Sequence, residues 1–194
     1  MILVIADRDG TLNHNKRSKL DGHYYTLSPE QFEWMDNARE AVVELQKDGI
    51  IVHVVTSQNS ISEGLVTLEE VNKIHDKMLQ EIVDAGGIQV GVSIVYGVKE
   101  SDQAKAEAKA DAIEAAKELY GNITSVWSVG DTEGDILAGK LVGARTIHVE
   151  LEHTSEKDKY VESADYHVKS FKDAADIIRY TAYREDGNAN DRNN

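Results

Sequence analysis

Short β-branched runs alternate with longer stretches of helical period along nearly the whole chain, and this alternation limits the available folds more than any other feature. Runs at 2–6, 50–55, 90–96, 124–129 and 145–149 read as strands, with a weaker edge strand at 164–168. Helical patterns lie between them at 37–47, 67–85, 102–120 and 133–141, and a closing one at 172–180. Ala38, Ala41, Val42 and Leu45 mark the inner stripe of the first, and Leu68, Val71, Ile74, Met78, Ile82 and Val83 that of the second. Strand, helix and strand in succession make the βαβ crossover, so the expected class is α/β with a doubly wound parallel sheet. Ligands of such sheets bind beyond the carboxyl ends of the strands, which is where chemistry is to be sought.

Three strand ends carry suitable residues. The first reads Asp7-Arg-Asp9-Gly-Thr-Leu-Asn13. Gly10 permits a turn that brings both carboxylates to one site, although an Asp-x-Asp-Gly pattern taken alone is more commonly an ordinary turn. The second end is Thr56-Ser57-Gln58-Asn59-Ser60, a cluster of hydroxyl and amide donors suited to an anion, or equally a polar loop or helix cap. The third is Gly130-Asp131-Thr-Glu133-Gly-Asp135, acidic as a Mg²⁺ site would be. Its alternative reading is helix capping by Asp131 with Glu133 placed favourably on the helix dipole. Lys99, Lys105 and Lys109 bracket the start of the alanine-rich helix at 102–120, and one of them can reach a phosphate at the strand ends. Together these pieces supply nucleophile, acid/base, anion donors, cation and metal ligand for phosphoryl transfer through an aspartyl-phosphate.

Composition narrows the partners. Lys plus Arg number 21 against 35 Asp plus Glu, a formal charge of −14, which argues against nucleic-acid binding through a basic face. A small phosphorylated substrate remains compatible, because a bound divalent cation and a lysine reverse the local potential. There is no cysteine, so disulfides and thiolate metal sites are excluded. No apolar run reaches the ~20 residues of a membrane span, and the start lacks secretory-signal features, so a cytoplasmic location is expected by default.

The motifs resemble those of the haloacid-dehalogenase (HAD) superfamily of phosphatases, in particular its capless branch of heptose-1,7-bisphosphate and histidinol-phosphate phosphatases. Asp7-Arg8-Asp9-Gly10-Thr11 is similar to the first motif, Thr56-Ser-Gln-Asn-Ser-Ile61 to the second, Lys105 to the lysine of the third, and Gly130-Asp131 with Asp135 to the fourth. The resemblance spans Met1 to about Tyr180 and implies a Rossmann-like, HAD-like domain over 1–183 without a large cap, followed by a polar, disordered tail at 184–194. It implies Asp7 as nucleophile and Mg²⁺ ligand. Asp9 would coordinate through its carbonyl and act as general acid then base, and Asp131 would be the third ligand. Asp135 would orient the lysine or a metal water, Thr56 and Ser57 would bind the phosphoryl group, and Lys105 would neutralise it. Lys105 is preferred because it stands 26 residues before Asp131, close to the family's spacing.

Departures bear on the substrate. Without cysteine the Cys/His zinc loop often found in this branch cannot form, Ala104-Lys105-Ala106 replaces an Arg-Lys-Pro segment, and Glu63 stands where related chains tend to carry a base. Residues 14–27 read as a hairpin flap turning at Asp21-Gly22. Its Lys16, Arg17 and Lys19 are either substrate-recognition residues or a solvated loop. His53, His75, His148 and His167 lie within expected elements and read as structural. The expected activity is Mg²⁺-dependent hydrolysis of a small phosphorylated metabolite, most simply a sugar phosphate. The alternatives are a nucleic-acid end or nucleotide phosphatase, or a non-catalytic phosphate-binding module of the same fold.

Overall fold

The computed structural model describes residues 1–15, 25–97, 101–151 and 161–191, with 186–191 described through the backbone alone. Six strands, β1 (Ile2–Ala6), β2 (Ile51–Ser57), β3 (Gly91–Val95), β4 (Ser125–Gly130), β5 (Arg145–Val149) and β6 (Tyr166–Val168), form one parallel sheet in the order β3-β2-β1-β4-β5-β6. Among the described residues the α-helices are α1 (Ala38–Lys47), α2 (Asn59–Ser62), α3 (Leu68–Asp84), α4 (Asp102–Tyr120), α5 (Glu133–Leu141) and α6 (Phe171–Asp191), with a 3₁₀ turn at Pro29–Gln31.

Alternate strand residues face opposite layers, as the pleat requires. Val4, Ala6, Val52, Val54, Trp127 and Val129 join one apolar cluster with residues of α1, α3 and α6. Leu3, Ile5 and Val55 join a second cluster with Ala110, Ile113 and Ala116 of α4 and Ala138 of α5. Burial on both faces explains why the strands read as continuous apolar runs rather than alternating ones. On the outer side of β2, buried His53 bridges the Tyr120 hydroxyl at 3.1 Å and Ser93 Oγ at 2.9 Å.

The expected elements are present with ends shifted by a residue or two, and two features differ. The short α2 lies where an anion-binding cluster, a polar loop or a helix cap was expected rather than a helix of its own. It follows directly from β2, as the Ser57-to-Ser62 stretch turns back through the bond from Ile61 N to Gln58 O. The last helix continues to Asp191, so the backbone of 184–191 is helical where a disordered tail was expected. Part of the reason is a side-chain anchor within that stretch: Glu185 accepts an ion pair from Arg145 at 2.6 Å.

The strand order places a switch point at β1. The chain leaves β1 toward β2 on one side and returns as β4 on the other, opening a crevice at the carboxyl ends of β1 and β4. Asp7 and Asp131 are the residues immediately following these two strands.

Candidate active site

Local backbone geometry brings the first motif into that crevice. Asp7 N still donates to Val129 O at 2.9 Å, pinning the chain to β4 one residue beyond β1. The backbone then turns sharply, with Leu12 N and Asn13 N both donating to Arg8 O at 2.9 and 3.0 Å. Gly10 sits at φ +87, and a Cβ there would collide with the Asp131 carboxylate. Only glycine satisfies both the left-handed backbone and the close approach.

On one side of the turn lies an acidic cluster. Lys109 Nζ, on the buried face of α4, donates to Asp7 Oδ1 at 2.8 Å and is also ion-paired with Asp135 Oδ1. The other Asp135 oxygen accepts from Thr132 N at 3.1 Å and Thr132 Oγ1 at 2.6 Å. The N-cap of α5 is therefore Thr132 and not Asp131, which removes the capping explanation for Asp131. Asp131 is buried, and its Oδ1 has no hydrogen-bond partner.

Asp7, Asp131 and Asp135 each offer an oxygen within 4.8 Å of the other two. Fully ionised, three carboxylates against one ammonium would leave two negative charges in a buried place. Burial pushes the Asp7 carboxyl up to about 7, with Asp135 and Asp9 adding to the shift and Lys109 opposing it. Burial, then Asp7 and Asp135, also hold Asp131 well above the usual carboxylate range. Burial would lower the Lys109 pKa, but Asp135 and Asp7 overcome it and raise it, so the lysine stays charged. An all-oxygen donor set with an excess of two negative charges and an orphaned carboxylate oxygen fits a hard divalent cation such as Mg²⁺.

On the other side of the turn Asp9 is fully engaged. It accepts from Arg8 at 2.6 Å, Gln58 at 2.8 Å, and Asn13 and Thr26 at 3.1 Å each. Burial alone would raise its pKa, but the Arg8 charge and the bonds from Arg8, Gln58 and Asn13 bring it down. Arg8 is itself wholly buried, with Nη1 2.9 Å from His75 Nε2. Burial, reinforced by the Arg8 charge, depresses His75 to about 4, so this nitrogen is an unprotonated acceptor for the guanidinium.

Gln58 also donates to Thr56 Oγ1 at 2.9 Å, which leaves the Thr56 hydroxyl proton available to an anion. Gln58 is a site residue that the sequence reading passed over as one amide in a polar run. Its signal would have been the β2 register, which sends residues 56 and 58 to the same side.

A cleft of about 270 Å³ opens onto this arrangement and is lined by Asp7, Asp9, Thr56, Ser57, Lys105, Lys109 and Asp131, among others. It therefore brings together the expected Asp7, Asp9, Thr56, Ser57, Lys105 and Asp131, while Asp135 stands behind them, bonded to Lys109 and Thr132. The expected lysine changes. Lys105 lies at the cleft wall, more than a third exposed, and pairs with Asp102 at 3.7 Å, whereas Lys109, one helical turn later, reaches Asp7. The physical reason is helix phase: Ala106, Lys109, Ala110, Ile113 and Ala116 form the buried stripe of α4, and position 105 falls outside it. Lys16, Arg17, Lys19 and the expected turn at 21–22 lie outside the described residues, as does Lys99. At the end of the expected flap, the Tyr25 hydroxyl donates to Glu63 Oε2 at 2.8 Å.

The HAD-hydrolase-like family matches residues 97–174. D-glycero-beta-D-manno-heptose-1,7-bisphosphate 7-phosphatase of Pseudomonas putida is 32% identical over 164 residues, covering 81% of this chain and 89% of its own. The protein of that name from Pasteurella multocida is 27% identical over 188 residues, covering 91% and 96%. The crystal structure of D,D-heptose 1,7-bisphosphate phosphatase from B. bronchiseptica, complexed with magnesium and phosphate, superimposes with a TM-score of 0.75 over 93% of this chain and 99% of that one, at 21% identity. With identity and coverage of this extent on a shared parallel sheet, the chain belongs to the HAD-like phosphatases, a family of phosphoric monoester hydrolases.

Proposed function

We propose that the protein hydrolyses a sugar phosphate through an aspartyl-phosphate formed on Asp7, with Mg²⁺ held by Asp7, Asp131 and the carbonyl of Asp9. The observation that carries this reading is the meeting of Asp7 with Lys109 at 2.8 Å beside the orphaned Asp131 oxygen, at the mouth of one cleft. The names borne by the relatives support a phosphorylated sugar as the substrate class.

When bound, the cation would offset phosphoryl charge and keep Asp7 ionised. The residues would do the rest. Lys109 and the Thr56 hydroxyl, with the Ser57 backbone, hold the phosphoryl oxygens. Asp7 attacks phosphorus as the bond to the leaving oxygen breaks, and Asp9 delivers a proton to that oxygen. Water then attacks the acyl phosphate, giving its proton to Asp9 and restoring Asp7. For the first step Asp9 must leave Arg8 and Gln58, whose contacts favour its ionised form, and turn toward the phosphoryl group, whose negative charge favours the protonated form.

The test is phosphate release by the full chain from sugar mono- and bisphosphates, histidinol phosphate, nucleotides and 3′- or 5′-phosphorylated oligonucleotides, each with Mg²⁺ and with chelator. Release from a sugar phosphate that chelator abolishes is the expected result. Release confined to oligonucleotides overturns the substrate class, and release indifferent to chelator overturns the cation.

A further inference from the structure

Beyond the acidic cleft, two histidines and a glutamate converge at the far edge of the sheet. His148 on β5 pairs in register with His167 on β6, and Glu150, two residues after His148, falls on the same face. Each of the three offers a ligand atom within 4.8 Å of the others. We propose that His148, Glu150 and His167 form a second cation site, selective for a borderline divalent ion such as Zn²⁺, that ties the β5–β6 edge to the backbone of Asp131.

The hydrogen bonds define which atoms are available. His148 is wholly buried, with Nε2 3.2 Å from the Asp131 carbonyl oxygen. A carbonyl can only accept, so Nε2 is the donor nitrogen, and Nδ1 is the position through which the ring would bind a cation. That Nδ1 is buried without a hydrogen-bond partner, which is unfavourable unless something fills its coordination. Bonding of one ring nitrogen to a backbone carbonyl while the other stays open is how metal-ligating histidines are commonly oriented.

Glu150 is divided in the same manner. Lys169 is ion-paired with Oε2, and Oε1 faces His167 Nδ1 at 3.6 Å. One oxygen is thereby left for a cation while the lysine braces the other. Two imidazoles and one carboxylate suit Zn²⁺, Co²⁺ or Ni²⁺ in preference to Mg²⁺, and leave a fourth position for water or another ligand. Absence of cysteine removes thiolate sites from this chain but does not affect an imidazole–carboxylate site.

This inference is independent of the phosphatase reading, and its test separates the two. The full-length wild type, His167→Ala, Glu150→Gln and Asp7→Asn proteins are titrated with Co²⁺ in excess Mg²⁺, following visible ligand-field absorption, with circular dichroism to establish folding. Wild type and Asp7→Asn should bind one Co²⁺ with the absorption of a low-coordinate nitrogen-containing site, and His167→Ala and Glu150→Gln should weaken it at least tenfold. No such band in the wild type overturns the site. So does binding that disappears in Asp7→Asn yet survives in His167→Ala, which would assign the ion to the acidic cleft. Should His167→Ala fail to fold, the isosteric Glu150→Gln decides, and unchanged affinity there overturns the proposal.

Discussion

Asp7 and Asp9 lie two residues apart on one turn, and their surroundings could hardly differ more. Asp7 faces the β4 side, where it shares a single lysine with Asp135 and adjoins Asp131, so its carboxyl is driven up to about 7. Asp9 faces the β2 side, where Arg8 neutralises it, neutral donors saturate it and its pKa falls. One half of the turn has surplus negative charge and a carboxylate oxygen with no partner, and in the other half the carboxylate is neutralised and both its oxygens are bonded. The lesson is that two identical side chains on one turn acquire opposite electrostatics from their neighbours, which is what the proposed reaction asks of them: a cation and phosphoryl seat on one side, a proton-transfer group on the other.

The comparison can be broken most severely at Asp7. Asp7→Asn should lower turnover at least about a thousandfold, as loss of a nucleophile does, while the melting temperature holds or rises because buried repulsion is relieved. More than a few per cent of wild-type activity would contradict the assignment. Next in size is Lys109→Gln, expected to lower kcat/KM by about 10²–10³-fold. Lys105→Gln should cost less than roughly threefold on the same scale. Steady-state kinetics of the two variants decide between them, and the reverse ranking would return the role to Lys105.

Asp9→Asn should slow release by about 10²-fold while Mg²⁺ affinity by calorimetry stays within about twofold, since in the proposed reaction that residue would hold the cation through its carbonyl alone. Loss of Mg²⁺ binding would erase the proposed distinction between the halves. The smallest effect concerns stability away from the site. Burial pushes His53 down to about 4, below the ordinary 6.5, so it is neutral in the fold and the unfolded chain binds the extra proton. Its contribution is complete above pH 6.5 and is lost as pH falls toward 4, at most about 3 kcal/mol. Thermal melts from pH 7.5 to 4.5 should therefore decline more steeply for wild type than for His53→Gln, and parallel curves would dispose of the idea.

Much of this architecture was legible because it depends on local patterns. Apolar runs such as 2–6 and 50–55 and the stripe of α1 respond to periods visible within a short window. Asp7, Thr56 and Asp131 could be grouped from the sequence because Asp7 and Asp131 directly follow β1 and β4 while Thr56 closes the apolar run of β2, and the ends of parallel strands share one edge. The lysine was harder. Ala104-Lys105-Ala106 recurs one turn later as Ala108-Lys109-Ala110, and the 26-residue interval that pointed from Lys105 to Asp131 also separates Lys109 from Asp135. Spacing could not choose between them, but side-chain phase could, since only 109 lies in step with Ile113 and Ala116. The pairings of Gln58 with Asp9, and of His75 with Arg8 across 67 residues, depend on packing of distant segments and left no local trace.

The central place of β1 also has a consequence during synthesis. β1 and β2 are complete once residue 57 has been made, but the strand that covers the other edge of β1 ends only at Gly130. At ~5–20 residues per second, an apolar strand edge stays open on the nascent chain for on the order of 4–15 seconds. Throughout that interval neither Asp131 nor Asp135 exists, so a stalled or truncated product has an aggregation-prone edge and no working centre. Chaperone demand and acquisition of activity should both be set by when the ribosome delivers β4.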